Sequence, residues 1–239
     1  MADLEDMVAA FGDDRFRVVP ALERRGAAHA RNVGAEAAHG SVLAFCDGDD
    51  VADPGWLEAL VRGLDEHDAV GGQLIDLPAE EDKESLRPPA TPGGLPTFLG
   101  VPYIVSASLA LPRDRFRAVG GFDEDLVRCE DIALSWSLIS DGGELGFVPD
   151  ARVAYRSRSG LPALLHQHYL YGQGMAEVLV RYGVPDGPDW ERPSGLGLLR
   201  PNGQPGGRGS WIGVLRRGAL AAGRVVGLAK ERIRAWRRR

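Results

Sequence analysis

Lysine is almost missing from this chain. Of 28 basic residues only Lys83 and Lys230 are lysine, and arginine supplies the rest. We read this as the codon bias of a GC-rich genome rather than as chemistry. Cysteine is as scarce. Cys46 and Cys129 are too few for a disulfide scaffold or a four-ligand zinc site. No uncharged apolar run reaches the ~18 residues that a membrane-spanning helix needs. The opening Met1-Ala-Asp-Leu-Glu-Asp6 is acidic where a secretory signal would be basic. No Gly-rich phosphate loop and no internal repeat is visible. These absences set the expectation of a reducing, cytoplasmic location.

What is present is ordinary globular material: 239 residues, 44% apolar and 26% charged, enough chain to bury a core without staples. The net charge of −6 conceals two unlike parts. Residues 1–150 sum to −17 and residues 151–239 to +11. An acidic body argues against general nucleic-acid binding, which needs basic surface to neutralise phosphates. It suits a protein that gathers carboxylates around a cation.

Along the chain, helical patterning covers residues 3–11, 26–39, 113–119, 130–139, 161–182 and 211–239. Strand candidates fall at 16–20, 41–46, 68–75, 104–111, 144–148 and 152–155. The apolar run Ser41–Cys46 reads as a strand buried on both faces of a parallel sheet. Asp53-Pro54 reads as an N-cap followed by the first helical residue, with Trp56, Leu57, Leu60 and Val61 packed inward. Alternating strands and helices argue for an α/β sheet with crossover helices. Five prolines between residues 77 and 97 mark a loop, and residues 184–209, rich in Pro and Gly, read as a linker. The expected organisation is one domain over 1–183, the linker, and a basic helical tail from 210.

The chemistry concentrates in a few segments. Phe45-Cys46-Asp47-Gly48-Asp49-Asp50 puts three carboxylates at the end of a strand, where open α/β sheets bind ligands. With Asp53 assigned to the helix cap, Asp47 and Asp49 have no structural duty, and they suit a hard divalent cation such as Mg²⁺ or Mn²⁺. Arg31, in Ala30-Arg31-Asn32-Val33-Gly34, could meet a phosphate or a base, although alone it reads as a surface helix residue. Glu130-Asp131 opens a helix, and locally such a pair reads as solvated caps complementing the helix dipole. His166 and His168 lie two apart on a helix and point in different directions, so they read as partly exposed histidines, not as a metal pair.

Taken in order, A-R-N-x-G at 30–34, F-x-D-x-D-D-x-x-x-P-x-W-L at 45–57, G-G-F-D-E at 120–124 and E-D-I-A-L-S-W at 130–136 resemble the family-2 type of inverting glycosyltransferase, over roughly residues 1–182. The resemblance implies the nucleotide-diphospho-sugar transferase fold: a Rossmann-like α/β mixed sheet with flanking helices, here followed by C-terminal helices. It implies that Asp47 and Asp49 hold Mn²⁺ or Mg²⁺ on the donor diphosphate, with Asp49 the direct ligand. Arg31, Asn32 and Gly48 would border the nucleotide sugar. Gly120, Gly121 and Phe122 would form the turn beneath the donor and acceptor sugars. Asp131 would be the catalytic base, with Glu130 as its companion. The partners implied are a nucleotide-diphospho-sugar and a glycan or lipid-linked hydroxyl acceptor. Three departures stand out. The family's opening strand, helix and Asp-ending strand are not seen, so the domain reads as N-terminally truncated. Ser137 stands where Arg is common, and residues 152–158 carry no histidine.

The rival is a catalytically defective fragment that keeps the fold and serves as a binding or membrane-surface module. The tail bears on both readings. Residues 216–239 hold nine basic residues and one acid, Glu231, with apolar residues and Trp236 among them. Such a segment is expected to lie on an anionic membrane at the cytoplasmic face, the alternatives being a solvated, frayed tail or one bound to the −17 body, and Gly218, Gly223 and Gly227 weaken its helix.

Overall fold

The computed structural model describes residues 2–10, 12–76, 91, 93–155, 160–186 and 211–237. Helix α1 (Ala2–Ala10) and helix α2 (Ala27–Ala37) precede strand β1 (Val42–Phe45). There follow β2 (Val51–Ala52), α3 (Trp56–Gly63), β3 (Ala69–Asp76), the short pair β4 (Thr97–Phe98) and β5 (Val101–Pro102), and β6 (Leu109–Pro112). The chain continues through α4 (Arg113–Ala118), α5 (Glu130–Ser140), β7 (Leu145–Tyr155), α6 (Leu161–Tyr182) and α7 (Trp211–Arg237).

The main sheet runs β1-β6-β3-β7-β2 and is mixed: β6 is antiparallel to both β1 and β3, β3 and β7 are parallel, and β2 is antiparallel to β7. Helix α3 covers one face through Leu60 against Val70, Ala110 and Ala151. Helices α2, α4 and α5 cover the other, where Phe45, Phe116 and Phe122 form a three-ring cluster with centroids 5.2–5.6 Å apart. A second core joins α5 to α6, with Phe98 stacked on Trp136 at 5.3 Å. These aromatic clusters supply buried area and ring-edge contacts together.

Several expectations are corrected. Residues 16–20 form no strand. Strand β1 pairs antiparallel, and its burial alternates, so it is not buried on both faces. Residues 106–108 make a 3₁₀ turn before β6, which shortens the strand expected at 104–111. The two strands expected at 144–148 and 152–155 are one, interrupted by a bulge: Gly72 pairs with Val148 but Gln73 with Arg152, so Pro149-Asp150-Ala151 has no partner in the ladder. The bulge sits where Gly72 meets β7 so closely that a Cβ there would strike the Ala151 carbonyl. Asp53 does not cap α3. The helix starts at Trp56 after a left-handed Gly55, and the Asp53 carboxylate lies 3.6 Å from Arg152. Leu57 and Val61 face solvent, while Leu60 is fully buried and the Trp56 indole donates to Ser108 Oγ at 2.9 Å. The loop expected over 77–97 falls mostly outside the described residues, as does most of the expected linker.

Candidate active site

Strand β1 ends at Phe45, whose ring is locked in the aromatic cluster, and the chain then turns. The Asp50 amide donates to the Asp47 carbonyl at 3.2 Å, which sets Asp47 and Asp49 at the sheet's edge. Across from them α5 begins. Its cap residue, Cys129, has φ of 65°, a left-handed conformation that non-glycine residues seldom adopt. Such strain costs about 1–3 kcal/mol and persists only when neighbours enforce it. Here Gly174 of α6 leaves room for the Cys129 side chain, since a Cβ at Gly174 would come within 2.9 Å of the sulfur, and the thiol donates to the Tyr171 carbonyl at 3.6 Å. Burial pushes this thiol well above its usual pKa, so it is packing material and not a nucleophile. Glu130 and Asp131, which follow Cys129, line the same cleft as Asp47 and Asp49.

Arg31 joins the two sides. Its guanidinium donates to Asp47 Oδ1 at 2.6 Å and to Glu130 Oε1 at 2.7 Å, and it lies 5.5 Å above the Phe122 ring. This corrects the view of Arg31 as a plain surface residue, and of Asp47 as free of duty. Asn32 forms a two-way clasp: its side-chain nitrogen donates to the Phe122 carbonyl at 2.8 Å, and its oxygen accepts from the Phe122 amide at 3.0 Å. Gly121, at φ of 70°, passes so near Asn32 and the Phe116 ring that a side chain would disturb both. Gly120 is left-handed as well. Gly48 lies in the turn between the two aspartates.

Asp131 is the electrostatic outlier. Burial raises its pKa, the adjacent Glu130 charge raises it further, and it reaches about 7. The Ile132 amide, 2.9 Å from Oδ1, together with Arg31 and the Ser106 amide, limits the rise. The pair is therefore not a solvated cap. Ser135 Oγ donates back to the Asp131 carbonyl at 2.7 Å and accepts from the Ile104 amide at 3.0 Å, tying the start of α5 to the chain before β6.

The acids and Arg31 border one cleft of about 420 Å³, whereas Asn32, Gly48, Gly120, Gly121 and Phe122 do not line it. Asn32, Gly120 and Gly121 instead line a second pocket beside Phe116, and Phe122 is buried. Arg31, Asp47, Asp49, Glu130 and Asp131 line one part. The far wall comes from residues that local sequence did not single out: Tyr103, Tyr155, and Leu170, Tyr171 and Met175 of α6. Nothing local marks them, because they meet the acids only through the fold. His166, exposed, and Gln167 also line the cleft. His168 does not: it is buried, accepts from Arg216 Nε at 3.0 Å and donates from Nδ1 to the Leu164 carbonyl. The expectation of two partly exposed histidines therefore holds for His166 alone.

Among the described residues no three His, Cys, Asp or Glu side chains are grouped to hold a metal by themselves. The donors at the cleft are nevertheless the right kind. Asp47 and Asp49 offer oxygen only, which suits Mg²⁺ or Mn²⁺ completed by substrate phosphates and water.

Comparison with known proteins agrees with this architecture. Residues 2–108 match the sequence profile described as Glycosyl transferase family 2. The pre-mycofactocin glycosyltransferase of Mycobacterium tuberculosis is 31% identical over 189 residues, covering 74% of this chain and 40% of that protein. The chain thus spans about two fifths of the length of that relative. A mannosyltransferase from Pyrobaculum calidifontis, solved with GDP-Man and Mn²⁺, superposes with a TM-score of 0.57 at 18% identity, covering 96% of this chain and 61% of that one. TarS residues 1–349 from S. aureus, solved with UDP-GlcNAc, gives 0.52 at 16% identity, covering 76% and 55%. The mixed sheet, the acid-lined cleft at its edge and the family profile converge: the chain belongs to glycosyl transferase family 2 and has the nucleotide-diphospho-sugar transferase fold.

Proposed function

We propose that the chain transfers a sugar from a nucleotide-diphospho-sugar to a hydroxyl acceptor, with inversion at the anomeric carbon. The observation that carries this reading is the single cleft in which Asp47 and Asp49 face the raised-pKa carboxyl of Asp131. Asp131 is the base. It takes the proton of the acceptor hydroxyl as the new carbon–oxygen bond forms and the bond to the diphosphate breaks on the opposite face. A pKa near the working pH favours this role, since such a base is ionised yet basic enough to hold the proton. Glu130, held by Arg31, keeps negative charge beside Asp131 and so sustains its basicity.

Asp47 and Asp49 would hold Mn²⁺ or Mg²⁺, which when bound neutralises charge building on the leaving diphosphate. The solved relative with GDP-Man and Mn²⁺ supports the choice of ion class. Arg31 borders the donor, and Gly48 lies in the turn between the two aspartates. Asn32, Gly120, Gly121 and Phe122 stand off the cleft, where the Asn32–Phe122 clasp holds the turn beneath Arg31. The α6 wall, with Leu170, Tyr171 and Met175, receives a glycan or lipid-linked acceptor. The test is a turnover screen of several sugar nucleotides with Mn²⁺ and simple hydroxyl acceptors. Nucleoside diphosphate release that depends on the metal supports the reading. No release from any donor overturns it in favour of a binding module.

A further inference from the structure

Helix α7 is built inside out. Gly223, Gly227 and most of its described cations face α6, while Val214, Val225, Ile233 and Trp236 face water. A Cβ on Gly223 would strike the Tyr169 carbonyl, and one on Gly172 of α6 would strike the Leu220 carbonyl. One on Gly227 would come within 2.7 Å of Ala176 Cβ. Two of the three glycines expected to weaken this helix, Gly223 and Gly227, are therefore its contact points, and Gly218 lies on the open side. The inward cations are all engaged. Arg216 donates to His168, Lys230 to Gln173 at 2.6 Å, and Arg234 to Glu177 at 3.2 Å. Arg224, 2% exposed, lies 5.0 Å over the Phe98 ring.

The outward arc is the reverse. At 100° per residue, positions 214, 218, 222, 225, 229, 232, 233 and 236 share one side. They read Val, Gly, Ala, Val, Ala, Arg, Ile and Trp, all of them exposed. Val214 is 58% exposed, Val225 52%, Ile233 52% and Trp236 75%. On a helix about 40 Å long this makes a continuous apolar stripe. Among the described residues no helix is long and apolar enough to cross a membrane.

We propose that this outer face of α7 lies flat on an anionic lipid surface. Charge decides between that surface and a second copy of the chain. The outer face carries Arg232 and no acid, and Arg237, Arg238 and Arg239 follow it in the sequence, so two such segments repel, whereas anionic headgroups attract them. Arg232 sits within the stripe, and arginines follow Trp236 in the sequence at 237–239, the arrangement that suits a headgroup boundary. The −17 body is pushed away from the same surface, which leaves α7 as the side that approaches.

The experiment is vesicle flotation of the full chain, with phosphatidylcholine alone and with phosphatidylcholine containing phosphatidylglycerol. The chain floats with the anionic vesicles at low salt and is released as salt rises. The triple variant Val225→Gln, Ile233→Gln, Trp236→Gln loses flotation while its circular dichroism and melting stay unchanged, because these side chains are exposed. Trp236→Ser alone weakens flotation, which guards against misfolding of the triple variant. Failure of the full chain to float, or equal flotation of the folded variants, overturns the proposal. So does a dimer, absent in the triple variant, in a chain that never floats: the face then belongs to a second copy.

Discussion

Asp131 carries two opposed demands, and both can be measured. Its folded pKa lies above the ordinary aspartate value, so the fold favours its protonated form. The stability tied to that proton is present below about pH 4 and is lost as pH rises toward 7. Asp131→Asn, uncharged throughout, should therefore melt no lower than the parent at pH 8 and match it near pH 4, by scanning calorimetry. The same variant should keep donor binding yet lose about 10²–10⁴ in transfer rate. The acid limb of kcat/KM in the parent should fall near pH 7 and vanish in the variant. A carboxyl whose burial raises its pKa was not legible locally. The sequence of Glu130-Asp131 reads as an ordinary helix start, and only burial with the like charge beside it separates the two readings. Asp49→Ala makes the complementary case. Asp49 is exposed at the turn, so we expect unchanged melting and loss of metal-dependent donor binding by titration calorimetry.

At the scale of elements, period and position decided what could be read. Helix α6 runs Leu161–Tyr182, the span its apolar pattern predicts, and β3 lies within one residue of its expectation. The failures all involve long-range contacts. Pro149 divides an apolar run that the sheet rejoins across the bulge, a fact fixed by β3 and invisible in β7 alone. Phe16–Pro20 has strand composition but no strand to pair with among the described residues. In α7, glycine counts against a helix by propensity but for it by packing, because close helices need small residues at the crossing. Gly223→Val should thus cost about 1–3 kcal/mol by overpacking the α6 contact. Amide hydrogen exchange would show protection lost first in α7. Equal protection in both proteins would mean that the two helices do not bear on each other as described.

For the whole molecule, the motif order identified the fold, and the four motifs, one within α2, one after β1, one between α4 and α5 and one opening α5, meet around Arg31. The site's wiring was not available from that order. Arg31 reaches a partner 16 residues away in sequence and another 99 away, and no local pattern announces the second. That bridge has a thermodynamic consequence. One guanidinium is shared between the donor side of the cleft and the base side, so whatever engages Asp47 alters how firmly Arg31 holds Glu130. After burial, the Glu130 charge is what raises the proton affinity of Asp131 most. Binding free energies linked in this way are reciprocal. Donor affinity should therefore vary with pH across the interval in which Asp131 titrates, although Asp131 stands on the other side of the cleft. Arg31→Lys, which offers one point charge in place of a two-armed fork, should flatten that dependence in titration calorimetry. Proton uptake or release on donor binding would then report, in a single titration, how strongly the two halves of the reaction are coupled.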